Sequence, residues 1–176
     1  KNMPKAAAEG VPNVITFFGN RRGMSDEEAI ENSIACLQRC KPIAEENKVM
    51  LAIEYLNSRV NHKDYLGDNT PYCLKIVSAV NSPYIKILYD IYHAQIMEGD
   101  IIRTIRDNHR WFCHYHTGGN PGRHEIDDSQ ELNYAPICKA ILETGFTGYV
   151  AHEFVPAKKD IVRSLRDAAA ICDVDA

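Results

Sequence analysis

No apolar stretch in the 176-residue chain nears the roughly 20 residues needed to cross a bilayer, so no membrane partner is expected. The opening K-N-M-P-K-A-A-A-E-G lacks the apolar centre of a signal peptide. Basic runs are no longer than a pair such as Arg21-Arg22, and the net charge is −4. That excludes the electrostatic footprint of a nucleic-acid binder. Six cysteines (36, 40, 73, 113, 138 and 172) form no C-x-x-C pair. Cys36 and Cys40, four apart on a helix face, do not have zinc-finger spacing. Reduced, mostly buried thiols are therefore expected, which suits a cytoplasmic location. Gly118-Gly119 belongs to no G-x-G-x-x-G and precedes no Lys-Ser/Thr, so a phosphate loop is not expected. No Ser/His/Asp or Cys/His nucleophile motif stands out.

What is present is ordinary globular composition, 45% hydrophobic and 25% charged, enough for one domain over 1–176 with a real core. Strand and helix patterns alternate. Val14–Phe18, Val49–Ile53, Tyr84–Tyr89, Trp111–Tyr115 and Tyr149–Phe154 read as short apolar strands. Between them, Ser25 with Glu28 opens a helix to about Asn47, which Pro42 is expected to kink. Thr70-Pro71 reads as the N-cap and first position of a helix to about Val80. Further helices are expected from Asp100 to Asn108, from Tyr134 to a stop at Gly145, and from Ile161 to Cys172. Apolar strands separated by helices mean parallel pairing with helices outside. Two architectures fit: an open doubly wound sheet and part of a (β/α)8 barrel. A complete barrel takes about 250 residues. The chain also opens on what reads as the tail of a helix, Met3–Glu9. The expectation is thus the C-terminal five βα units of a TIM barrel. A five-stranded arc leaves two edges unpaired, so a homo-oligomer is expected as well.

Chemistry concentrates in Asp90–Glu125. Two clusters, D-I-Y-H-A-Q-I-M-E-G-D and H-Y-H-T-G-G-N-P-G-R-H-E, each follow an apolar run. Glu54, Asp90, His116 and Glu153 fall at or just beyond the C-terminal ends of successive strands, the edge where parallel α/β proteins build their sites. Converging there without a cation, three carboxylates would repel one another. With one they form an oxygen-rich set with a single nitrogen, suited to Mn²⁺ or Mg²⁺, with Zn²⁺ or Co²⁺ also compatible. His93 is placed to hydrogen-bond a substrate oxygen. Arg123, after Pro121-Gly122, is placed to turn inward and pair with a substrate carboxylate. Glu131 and Asn133 are candidates for ordering that loop, and His114 is a candidate partner behind His116. His124 and His152 read as peripheral, and Glu98 suggests no role.

Two glutamates at one cation point to proton shuttling beside a carbonyl: one removes a carbon-bound proton and the other returns it. Return to the neighbouring carbon is aldose–ketose isomerisation; return to the opposite face of the same carbon is epimerisation. From about Pro12 to Pro156 the chain resembles the hydroxypyruvate isomerases, within the xylose-isomerase-like TIM-barrel group that also holds ketose 3-epimerases. The resemblance rests on V-P-N-V-I-T-F-F-G-N-R, I-E-Y-L-N, Y-D-I-Y-H-A-Q-I-M-E-G-D, P-G-R-H-E, E-L-N-Y and H-E-F-V-P. It implies a metal on Glu54, Asp90, His116 and Glu153, with Glu54 and Glu153 as the acid/base pair. It implies substrate contacts from His93 and Arg123, and conversion of hydroxypyruvate to tartronate semialdehyde. It also makes the strand near Val14 the barrel's fourth. The chain departs from that family at Tyr55, where proline is usual, and at Ile126, again in place of proline. At His116 the isomerases usually carry glutamine, and histidine is the epimerases' choice. The alternatives that stay open are a ketose 3-epimerase and a non-catalytic sugar-binding barrel.

Overall fold

Each strand is short and flanked by its own stop signals, so the chain turns from sheet to helix at nearly every polar cluster. The computed structural model describes residues 2–175. A first helix, α1 (Asn2–Ala8), ends at Gly10, whose φ of +69° turns the chain toward β1 (Asn13–Phe17). Then follow α2 (Asp26–Asn47), β2 (Met50–Glu54), α3 (Thr70–Val80), β3 (Ile85–Asp90), α4 (Ile91–Met97) and α5 (Ile101–Asn108). A 3-10 turn, His109–Trp111, leads into β4 (Phe112–Thr117), α6 (Tyr134–Glu143), β5 (Tyr149–His152) and α7 (Ile161–Cys172). Ser25 caps α2, its Oγ accepting from the Glu28 N–H at 3.2 Å, and α2 continues through Pro42 as one helix. Asn69 rather than Thr70 caps α3: its Oδ1 accepts from the Tyr72 N–H at 2.9 Å, and Thr70 already lies in the helix. Trp111 belongs to the 3-10 turn, so β4 starts one residue later than its apolar pattern predicts. α4 was not expected. The Asp90 carboxylate caps it, accepting from the His93 N–H at 3.0 Å.

The five strands are all parallel, in the order β1-β2-β3-β4-β5, and curl into half of a barrel. The curl is visible in contacts between strands that are not neighbours. Asn13 on β1 reaches His114 on β4, Nδ2 to Nδ1, at 3.2 Å. One sheet face carries Leu51, Ile53, Ile85, Ile87, Tyr89 and Tyr115, buried with the helices in the main core. The concave face carries a smaller apolar cluster of Ala52, Leu88 and Cys113, with Met50 against it. Ala52 and Leu88 lie two residues before Glu54 and Asp90, so by the period of two they floor the site beneath those carboxylates. β1 and β5 are the open edges, and Phe17 and Tyr149 there are 59% and 60% exposed.

Candidate functional site

Four side chains from four elements meet above that floor. Glu54 and Asp90 are the last residues of β2 and β3, His116 is the fifth of the six residues of β4, and Glu153 directly follows β5. One ligand atom from each lies within 4.8 Å of the others. His116 Nδ1 is the hub, 2.7 Å from Glu153 Oε2, 3.3 Å from Glu54 Oε1 and 3.6 Å from Asp90 Oδ2. Glu54, Asp90 and His116 are buried, whereas the Glu153 side chain is about half exposed. Parallel strands whose polar residue comes at the C-terminal end deliver this convergence once the sheet curls.

Such a concentration of negative charge needs compensation. Burial alone would lower the His116 imidazole, but hydrogen bonds to Asp90, Glu153 and Glu54 outweigh it and push it up to about 11. Burial would raise the Asp90 carboxyl, but His116, His93 and Arg123 hold it well below the usual carboxylate range. The Glu153 carboxyl is lowered chiefly by its bond from His116. Arg123 completes the balance. Its Nη1 and Nη2 donate to Asp90 Oδ1 and Oδ2 at 3.3 and 2.7 Å, and Nη2 also donates to Glu153 Oε2 at 2.5 Å. Its guanidinium lies 4.7 Å from the centre of the Tyr92 ring, a cation–π contact. Three oxygens and one imidazole nitrogen this close are a fitting donor set for one divalent cation. His116 Nδ1 would have to give up its proton to become a ligand, so binding would release a proton.

His93 lies beside this cluster, 3% exposed. Its Nδ1 accepts from the Asn57 backbone N–H at 3.1 Å, with Asn57 Nδ2 at 2.5 Å. Accepting at Nδ1 fixes the neutral tautomer with its proton on Nε2. Burial pushes the imidazole down to about 4, so it stays neutral and keeps an N–H to donate. Asn57, fully buried, was not singled out in the sequence. The I-E-Y-L-N segment contained it, but nothing in its spacing pointed to His93, 36 residues away.

The remaining candidates disperse. His114 pairs with Asn13 below the cluster, and His152 Nδ1 lies 2.8 Å from Thr117 Oγ1. His124 donates from Nδ1 to the Val155 carbonyl at 2.8 Å. Glu131 accepts from Gln95 at 3.3 Å, and its own N–H donates to the Asn120 carbonyl at 2.9 Å. Asn133 precedes α6 with no side-chain cap bond. Glu98, for which the sequence suggested no role, accepts at Oε2 from Tyr55 Oη, Thr70 N and Thr70 Oγ1, each at 2.8 Å. It fastens α3 to the loop after β2. Glu125 is the residue the sequence reading passed over within P-G-R-H-E: it is 5% exposed and accepts from Ala157, Lys158 and Ser164.

Curled parallel strands with an acidic and imidazole cluster at their C-terminal rim define a TIM-barrel-type enzyme scaffold. The family model described as Xylose isomerase-like TIM barrel matches residues 2–171, and the chain belongs to that family. It is 30% identical over 152 residues to a 2-oxo-tetronate isomerase from Haemophilus influenzae, covering 86% of this chain and 58% of the relative. It is 30% identical over 137 residues to a hydroxypyruvate isomerase from Escherichia coli, covering 76% and 51%. A solved AP endonuclease, family 2, from Brucella melitensis superposes with a TM-score of 0.78 at 25% identity, covering 90% of this chain and 64% of that one. The chain thus spans about half the length of the curated relatives it matches.

Proposed function

We propose that the chain carries the acid/base and metal-binding part of an isomerase acting on a small hydroxy-keto acid, of the hydroxypyruvate kind. Residues 1–176 then form one unit, the C-terminal five βα units of a barrel. The observation that carries the reading is the convergence of Glu54, Asp90, His116 and Glu153, with His93 and Arg123 beside them. A divalent cation held by those four would supply Lewis-acid charge to adjacent substrate carbonyl and hydroxyl oxygens. One of Glu54 and Glu153 accepts the proton from the hydroxyl-bearing carbon, and its electron pair moves into an enediolate. The other glutamate returns a proton to the former carbonyl carbon, the hydroxyl proton passes from the one substrate oxygen to the other, and proton exchange with solvent resets the two glutamates, so the atoms balance and no redox partner is needed. His93 donates from Nε2 to a substrate oxygen. Arg123 has five N–H groups, of which Asp90 and Glu153 engage three. The remaining two, one on Nη1 and one on Nε, lie on opposite edges of the guanidinium, so one of them can meet a substrate carboxylate oxygen, and the positive charge favours a keto acid over a neutral sugar.

A second reading, a ketose 3-epimerase, is favoured by the imidazole of His116 at the hub. Relatives named as hydroxypyruvate and 2-oxo-tetronate isomerases support the first. Six free thiols are in keeping with a reducing, cytoplasmic setting. Among the described residues, no helix is long and apolar enough to cross a membrane. The exposed edge residues Phe17 and Tyr149 fit association of copies. The deciding experiment is solvent-deuterium incorporation followed by NMR on the Mn²⁺-loaded protein, with Glu153→Gln as control. Label appearing on the former carbonyl carbon of hydroxypyruvate as the aldehyde forms supports the isomerase. Label confined to C3 of fructose or tagatose establishes the epimerase instead. Turnover unchanged in Glu153→Gln refutes the glutamate pair.

A further inference from the structure

Arg123 and Glu153, the two ends of the pair that closes the site, come from two different loops, one after β4 and one after β5. Glu153 follows the edge strand β5, and its own N–H is held by the Thr117 carbonyl at 3.0 Å. Arg123 sits at φ +59° directly after Gly122 at φ +97°. A left-handed backbone is costly for a non-glycine residue, so such a turn persists only where its surroundings hold it.

The surroundings are a row of bonds between the loop after β4 and the loop after β5. The Val155 N–H donates to the Arg123 carbonyl at 2.8 Å, and His124 donates from Nδ1 to the Val155 carbonyl at 2.8 Å. Lys158 Nζ pairs with Asp127. These groups lie near solvent, where single bonds contribute little. Glu125 differs. It is 5% exposed, and its carboxylate takes the Ala157 N–H at 3.1 Å from each oxygen, the Lys158 N–H at 3.0 Å and the Ser164 hydroxyl at 2.8 Å. One buried anion thereby joins Arg123's turn, the segment after Glu153 and the first turn of α7. Nothing in the proposed chemistry uses this carboxylate.

We propose that Glu125 is a positioning residue: by clamping the segment after β5 to the turn that bears Arg123, it sets the separation of Arg123 and Glu153 and so the geometry of the cation site. This rests on the metal-binding reading above. The test compares Glu125→Ala with Ser164→Ala, which loosens the same carboxylate only from α7. Two readouts are taken on the whole chain: Mn²⁺ affinity by electron paramagnetic resonance titration, and amide hydrogen exchange at Glu153 and Val155. Loss of a direct partner of a metal ligand typically weakens affinity 10- to 100-fold; Glu125 acts one contact further out, through the segment after Glu153, so Glu125→Ala should raise the Mn²⁺ Kd by about fivefold or more. It should also speed exchange at both amides, while Ser164→Ala leaves the Kd within about twofold. Equal melting losses in both variants, with unchanged Kd and unchanged exchange at Glu153 and Val155, overturn the proposal and leave Glu125 as an anchor for α7 alone. Should Glu125→Ala fail to fold, Glu125→Gln is read by the same measures and the same criteria. Wild-type protein that binds no Mn²⁺ refutes the metal reading itself, and the exchange rates then decide the clamp separately.

Discussion

Replacing Tyr134 by phenylalanine removes one oxygen from the first residue of α6, and the structure sets a large cost for it. The Tyr134 hydroxyl donates to the Gly118 carbonyl at 2.8 Å and accepts from the Gly118 N–H at 2.9 Å. Tyr134 is 1% exposed and Gly118 is buried, so water does not readily take over either bond. The aromatic ring is kept, so no cavity contribution enters. Leaving a buried polar group unpaired costs about 1–3 kcal/mol. Two such groups, with some relaxation, give a loss of about 2–5 kcal/mol, a large part of the roughly 5–15 kcal/mol that holds a domain folded. With a urea m-value of about 1–3 kcal/mol/M, the unfolding midpoint should fall by about 1–3 M at unchanged slope. A loss below about 0.5 kcal/mol would show that Gly118 finds other partners and that the phenol does not hold this turn. The effect should also reach the site, because Gly118 is two residues beyond His116.

Three further outcomes are expected. In Glu125, burial would raise the carboxyl, but bonds from Lys158, Ala157 and Ser164 outweigh it and hold it down at about 2. Its contribution is therefore full above the unfolded value of about 4.3 and is lost as pH falls toward 2. Glu125→Gln should flatten that acid limb in melting curves taken from pH 5 to pH 2, and identical limbs would refute the assignment. Gly119→Ala should cost more than about 2 kcal/mol, since its Cβ would lie 2.1 Å from the Glu125 backbone oxygen; a near-neutral melting temperature would mean that the loop path is different. His93 should show a neutral, Nε2-protonated pattern in long-range nitrogen correlation spectra at pH 7, and an Nδ1-protonated ring would remove it as the proposed donor to substrate.

Strand ends were the legible part of the site. Glu54 and Asp90 stand where apolar runs stop, and the phase of those runs puts them on one side of the sheet. Loop residues were less legible. The Pro121-Gly122 turn suggested that Arg123 points inward, but nothing in the sequence showed that it pairs with Asp90 and Glu153, which lie 33 and 30 residues away in the chain. α4 escaped the sequence reading because D-I-Y-H-A-Q-I-M contains no separate cap. The one aspartate both ends β3 and caps the helix, and its charge pointed to metal rather than to backbone.

The sequence by itself determined the alternation of strand and helix, the parallel sheet and the chain positions of the four clustered side chains. Those follow from local periodicity and from where polar residues interrupt it, both of which are written along the chain. Only the tertiary structure decided that His116 is the hub, that Asn57 sets the His93 tautomer, and that Glu125 is buried across two loops. Each of these depends on how far the sheet curls and how loops far apart in the chain come to lie together, and no spacing within one segment carries that information.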